Sequence, residues 1–230
     1  MKTQIVRILA LASISSLFGI SVNARAVTVI TSVPFTITKS GTYTFDKNLT
    51  LSGNSLYAIT INASNVLIDL SGFTLKNGTG TNGGILTTTA TTNVTIQDGT
   101  ISGFTTGVGL QGSQQLVQNL RLFNNGNGVE GSSSNFSTIQ DCFIVGQGST
   151  IGNGVVLPSC FGTVVKDNQI ASANVGCATV SSGGNSFIAN QIANCSTGLL
   201  LGTGDKYQGN VTIGCTTPFS GGTAVGDENN

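Results

Sequence analysis

The 230-residue chain contains no histidine, nine acidic residues and nine basic ones. Proton transfer near neutral pH therefore falls to carboxylates, lysine and arginine. Spacing singles out Arg121, Asp141, Lys166 and Asp167. The two aspartates sit at the same place in two similar segments, Ile139-Gln-Asp-Cys-Phe-Ile144 and Val165-Lys-Asp-Asn-Gln-Ile170. If those segments stack, the carboxylates become neighbours, and two carboxylates that close either raise the pKa of one of them or recruit a cation. As plain turn residues facing water they would do neither. A second set, Gln97, Gln118, Gln140, Lys166 and Gln208, precedes the same polar step in successive segments. Amides and cations repeated along a flat sheet can hydrogen-bond the hydroxyls or carboxylates of a sugar chain, and would otherwise form a solvated face of Gln ladders.

A repeat has to position these groups. A Gly followed by a small residue recurs as Gly84-Ile85, Gly107-Val108, Gly128-Val129, Gly154-Val155, Gly176-Cys177 and Gly198-Leu199, at intervals of 23, 21, 26, 22 and 22 residues. The polar-step segments ending at Ile101, Leu122, Ile144, Ile170 and Ile192 keep the same step. Two markers with one period define one repeated unit. A unit of about 22 residues cannot bury its own apolar face and must stack on its neighbours, which makes a solenoid. Short runs rich in Val, Ile, Thr and Phe, separated by Asn, Asp, Gly and Ser, read as strands joined by tight turns. The fixed Leu and Asn offsets of leucine-rich repeats are missing, and helical repeats need longer periods. In each unit the polar step is a bend: Asp98-Gly99, Asn119-Leu120, Asp141-Cys142, Asp167-Asn168, Ala189-Asn190 and Gly209-Asn210. Stacked Asn and Asp there can hydrogen-bond from coil to coil.

Asn65-Val-Leu-Ile-Asp-Leu-Ser-Gly-Phe-Thr-Leu75, Asn93-Val-Thr-Ile-Gln-Asp-Gly-Thr-Ile101 and the Gly-Val, Asn-Gly-Val and Asn-Gln-Ile series resemble the right-handed parallel β-helix proteins of the pectin-lyase-like superfamily. The likeness spans roughly residues 40 to 220. It implies an all-β, right-handed parallel β-helix of about seven coils with an N-terminal cap. The expected divisions are a signal peptide over 1–26, the cap and a first partial coil over 27–51, the repeats over 52–222, and a mobile tail over 223–230.

The resemblance also implies what catalysis would require. Hydrolases of the superfamily cluster aspartates, including an adjacent pair, beside His and Lys; this chain has neither the pair nor any His. The lyases abstract a proton beside a uronic carboxylate with Lys or Arg, often with Ca²⁺. Arg121, Asp141, Lys166 and Asp167 are the constellation that could serve. The reading is a non-catalytic exported module that binds polysaccharide or acts as a rigid surface element. Its alternative is a lyase acting by β-elimination on a uronate polymer, and only there would Ca²⁺ enter as a cofactor.

Lys2 and Arg7, an apolar run from Ile8 to Ile20, and Ala24-Arg25-Ala26 have the form of a cleavable secretory signal. The run is too short to span a bilayer. Cleavage near Ala26 would deliver the protein to the periplasm, cell surface or medium. The remaining chain carries a formal charge of about −3, which offers nothing to nucleic acid. Five cysteines follow the leader, an odd number for an exported protein. Aligning Asn190 with Asn210 puts Cys195 and Cys215 on adjacent coils about 4.8 Å apart, a spacing a disulfide tolerates. Cys177 holds an inward position and reads as a small buried hydrophobe. Without histidine or Cys-x-x-Cys spacing, no metal site is expected.

Overall fold

A computed structural model describes residues 26–78, 82–148 and 151–226. The signal read over 1–26 lies outside the described residues except for Ala26, as do the last four residues of the expected tail. All regular structure among the described residues is β, and every strand pairing is parallel. The chain winds as a β-solenoid of about eight turns. No helix among the described residues is long and apolar enough to cross a membrane.

Each turn contributes one strand to each of three faces. The first face carries the glycine ladder: Phe35–Ile37, Tyr57–Ile61, Gly83–Thr87, Thr106–Leu110, Asn127–Gly131, Asn153–Pro158 and Val175–Val180 lead into residues 197–201 and the final strand, Thr217–Ala224. The second face begins with Val27–Ile30, Gly41–Phe45 and Val66–Asp69, and includes Thr138–Gln140, Val164–Lys166 and Ser186–Ile188. The third includes Leu49–Leu51, Thr74–Asn77, Phe143–Val145, Gln169–Ala171, Gln191–Ala193 and Val211–Ile213. Val94–Ser102 and Leu116–Phe123 pass around the bend between the second and third faces as single strands.

Residues 27–51, expected to hold a cap and a partial coil, contain four strands in ladder register. Phe35–Ile37, Gly41–Phe45 and Leu49–Leu51 pair with the next turn on all three faces, so this segment completes a turn of its own. Its alternation explains why: Ile37, Tyr43 and Phe45 point inward and are buried, as the core positions of later turns are. At the other end the last strand runs to Ala224, two residues into the expected tail.

The core is a stack of inward side chains. Ile85, Val108, Val129, Val155, Cys177 and Leu199 line the first face, and Ile96, Val117, Ile139, Val165 and Phe187 the second; all are fully buried. Each large apolar side chain so buried contributes roughly 1.5–3 kcal/mol. The ladder glycines are required by close approach. A Cβ on Gly128, Gly154 or Gly176 would lie 2.6, 2.5 or 2.6 Å from the carbonyl oxygen of the ladder glycine one turn on. It would also strike the Ile144, Ile170 or Ile192 methyl that fills the space beside it.

The bends are built as the sequence indicates. Asp98, Asn119, Asp141, Asp167 and Ala189 all adopt φ between 52 and 59°, the left-handed conformation that reverses the side-chain direction. The next residue therefore turns inward, and Leu120, Cys142, Asn168, Asn190 and Asn210 are buried. The three asparagines form a ladder. Asn168 Nδ2 donates to Asn190 Oδ1 at 3.0 Å, and Asn190 Nδ2 to Asn210 Oδ1 at 2.9 Å. Asn168, Asn190 and Asn210 also donate to the backbone carbonyls of Ile139, Val165 and Phe187 respectively, so these buried amides are satisfied.

Candidate functional site

The outward side chains of the third face, where it leaves this bend, are Arg121, Phe143 and Gln169 on successive rungs. Together with Asp141, Cys142 and Asp167 they line an open cleft of about 480 Å³. The pleat fixes the arrangement. Asp141 and Asp167, at the left-handed positions, are exposed on neighbouring rungs, and two residues later the strand presents Phe143 and Gln169 outward.

Arg121 is held by rings. Its guanidinium carbon lies 5.2 Å from the centroid of Phe123 and 5.6 Å from that of Phe143. The two rings meet edge to face at 5.7 Å. Cation–π attraction of this kind fixes the planar group without using its N–H donors. Arg121 has no ion-pair partner among the described residues. Cys142 contributes to the cleft from below: its thiol donates to the Gln140 carbonyl, and burial, reinforced by the Asp141 charge, pushes its pKa up to about 12. A thiol so protonated is not a nucleophile at neutral pH.

Of the four residues singled out for chemistry, the structure brings Arg121, Asp141 and Asp167 together. Lys166 stands on the second face, outside the cleft lining, and pairs with Asp167 at 3.9 Å. The glutamine row has the register read from the sequence: Gln97, Gln118, Gln140, Lys166, Ile188 and Gln208. Its amides are committed to one another. Gln140 donates to Gln118 at 3.3 Å, Gln118 to Gln97 at 3.0 Å, and Gln97 to Asp98 at 2.7 Å. Gln208 is cut off from the row by Ile188 and faces a separate hollow with Lys206 and Tyr207.

Repeat register puts Phe143 and Gln169 beside Arg121 on the strand after the bend, although neither was among the residues singled out from the sequence. Sequence reasoning also passed over Asp205, which is fully buried between the first and second faces. That carboxylate accepts from Thr179 Oγ1 at 2.7 Å, from the Gly202 and Asn185 amides at 3.1 and 2.9 Å, and from Asn185 Nδ2 at 3.0 Å. Its place in line with Thr163 and Asn185 was the available signal. Cys195 and Cys215 stack on adjacent turns as aligned, and all five cysteines are free thiols. Burial raises Cys195 to about 11, with the Cys215 thiol beside it adding to the shift.

Residues 33–192 match the family described as the right handed beta helix region. The chain belongs to this right-handed β-helix family. No curated protein matches its sequence. Among solved structures, the β-helix is similar to a double mutant of the tailspike protein of E. coli bacteriophage HK620 in complex with a pentasaccharide. The likeness has 13% identity and a TM-score of 0.64, and covers 89% of this chain and 45% of that one. A second double mutant of the same tailspike matches at 14% identity and a TM-score of 0.57, over the same shares. Endopolygalacturonase I from Stereum purpureum, complexed with galacturonate, matches at 14% identity and a TM-score of 0.43, over 89% and 91%. The β-helix thus spans less than half of the tailspike chains it resembles.

Proposed function

We propose that this β-helix is an exported module that binds polysaccharide in the Arg121 cleft and does not cleave it. The observation that carries the reading is the cleft itself, where a guanidinium with no ion-pair partner among the described residues, two exposed carboxylates, an amide and an aromatic face converge. A sugar chain needs those partners. Its hydroxyls donate to carboxylates, its oxygens accept from guanidinium and amide, and its C–H faces lie against an aromatic ring. The tailspike that this β-helix resembles is in complex with a pentasaccharide, which supports the ligand class.

The lyase alternative finds less support. Its base would be Lys166 or Arg121. Lys166 is outside the cleft and faces Asp167, and the Arg121 guanidinium is engaged by the Phe123 and Phe143 rings. Arg121 is suited instead to bind an anionic or hydroxyl-rich sugar.

The test is a glycan-array assay on the chain from Val27, with and without Ca²⁺, that also follows the ultraviolet absorbance of unsaturated uronates. Binding that falls at least tenfold in Arg121→Ala, with flat absorbance, is the expected result. Absorbance that grows with time would replace binding by β-elimination. An array on which Arg121→Ala binds as well as the parent chain would remove the cleft from the function. Export is checked separately by sequencing the N-terminus of the secreted protein, which should begin just after Ala26.

A further inference from the structure

Phe136 and Phe161 break the pattern of their turn. The bend between the first and second faces holds a left-handed residue on each rung, and Asn65, Asn93, Gln114, Gly162 and Gly184 occupy it on other turns. Phe136 takes the same position at φ 53°. A bulky side chain is disfavoured there, and burial returns little, because Phe136 remains 68% exposed. Phe161, one rung on, is 53% exposed.

Both are fixed in place. The Phe136 amide donates to the Phe161 carbonyl at 3.0 Å, and the Phe161 amide donates to Asn135 Oδ1 at 2.9 Å. The Phe136 ring lies over Gly162, where an added Cβ would come within 2.8 Å of it. The left-handed backbone at Phe136, in register with Gly162, and the residue before Gly162 thus display two aromatic rings on adjacent rungs, the rungs themselves about 4.8 Å apart. Strain of this kind, observed first, points to function.

We infer that Phe136 and Phe161 form a second carbohydrate subsite, which stacks against the apolar C–H face of a pyranose ring. The polysaccharide reading supplies the ligand class on which this rests. The surroundings favour a neutral sugar over a protein. The flanking segments 131–139, 159–165 and 181–187 carry no charged residue but many Ser, Asn and Thr, so a charged partner would find nothing to pair with while hydroxyls would find partners. Two rings also fall far short of the roughly 800 Å² per partner that a stable protein interface buries. A pyranose fits: its C–H bonds meet the electron-rich ring faces, and stacking removes apolar area from water. From Phe136 the strand leads past Thr138 and Gln140 to Asp141 in about 16 Å. An oligosaccharide touching both subsites crosses the second face along the strand direction, at right angles to the solenoid axis.

The experiment titrates the chain, carrying ring-¹³C-labelled phenylalanine, with cellohexaose as a neutral β-linked probe. Signals are assigned from Phe136→Asn and Phe161→Ala. The expected result is movement of both ring signals on titration, retained in Arg121→Ala, and an association constant about tenfold lower in the double variant. Movement of the Phe123 and Phe143 signals alone would leave the cleft standing and overturn this inference. Movement of Phe136 and Phe161 alone would keep it and remove the cleft. Signals that stay fixed up to millimolar probe would overturn it, and shifts that follow protein concentration without sugar would assign the rings to contact between copies instead. Phe136→Asn should also raise the Tm by about 2–4 °C, because Asn tolerates the left-handed backbone. A lower Tm would show that the ring serves the turn, and would overturn the inference equally.

Discussion

Asp205 is the residue whose replacement is best defined by its surroundings. Its two carboxylate oxygens accept four hydrogen bonds in a site closed to water. Asp205→Asn would turn one acceptor oxygen into an NH₂ facing donors, leaving buried groups unsatisfied. The expected loss is about 1–3 kcal/mol, read as a lower urea midpoint with unchanged slope. The buried thiols predict a pH effect. Cys142 is raised from 9.0 to about 12, mainly by burial, so the folded protein holds its proton more tightly than the unfolded chain. The associated stability is complete below about pH 9 and is lost as pH rises toward 12. In that window stability should fall by about 1.4 kcal/mol per pH unit for such a thiol. Urea midpoints of the parent chain and Cys142→Ala at pH 8 and pH 10.5 check this, the variant showing the shallower decline. Asp205 went unread because nothing in one sequence marks a carboxylate as buried; only its alignment with Thr163 and Asn185 hinted at it.

At the scale of the element, the glycine ladder and the asparagine ladder meet the same demand, that each rung repeat on the next at strand spacing. Gly154 leaves space for the Gly176 carbonyl and the Ile170 methyl, at 2.5 and 2.4 Å from where a Cβ would stand. Gly154→Ala should therefore cost about 1–3 kcal/mol by overpacking, measured by thermal unfolding. At Gly109 the nearest atom to an added Cβ is a flexible Leu86 methyl at 3.0 Å. Gly109→Ala should cost less than half as much, which separates carbonyl approach from a general loss of glycine. The bends were legible because the Asp-Cys, Asp-Asn and Ala-Asn steps recur at one period. The cleft was only half legible. Register placed Arg121 beside Phe143, but whether the glutamines and Lys166 would face a ligand or one another depended on side-chain direction, which periodicity does not encode.

For the whole molecule, a solenoid whose turns touch only their neighbours should open from its ends. Hydrogen exchange is expected to be slowest in the rungs from Thr106 to Ile192, where each strand has a partner on both sides. It should be fastest at Val27–Ile30 and Thr217–Ala224, the first and last strands. Uniform protection along the chain would mean that all turns unfold as one unit.

The sequence by itself determined the fold. A period of about 22 residues with two independent markers forces stacking, and stacking fixes which residues share a column. Residues 27–51 mark the reach of that logic: their alternation matches the core, yet without the glycine marker they read as a cap and a partial coil, and the pairing on three faces shows a turn. Tertiary structure alone decided which members of each column converge on a cleft. Arg121, Asp141 and Asp167 converge because a left-handed residue turns the chain at each bend, whereas Gln140, Gln118 and Gln97 bond along their own row, which ends on Asp98. Columns follow from period, but partners follow from direction in space.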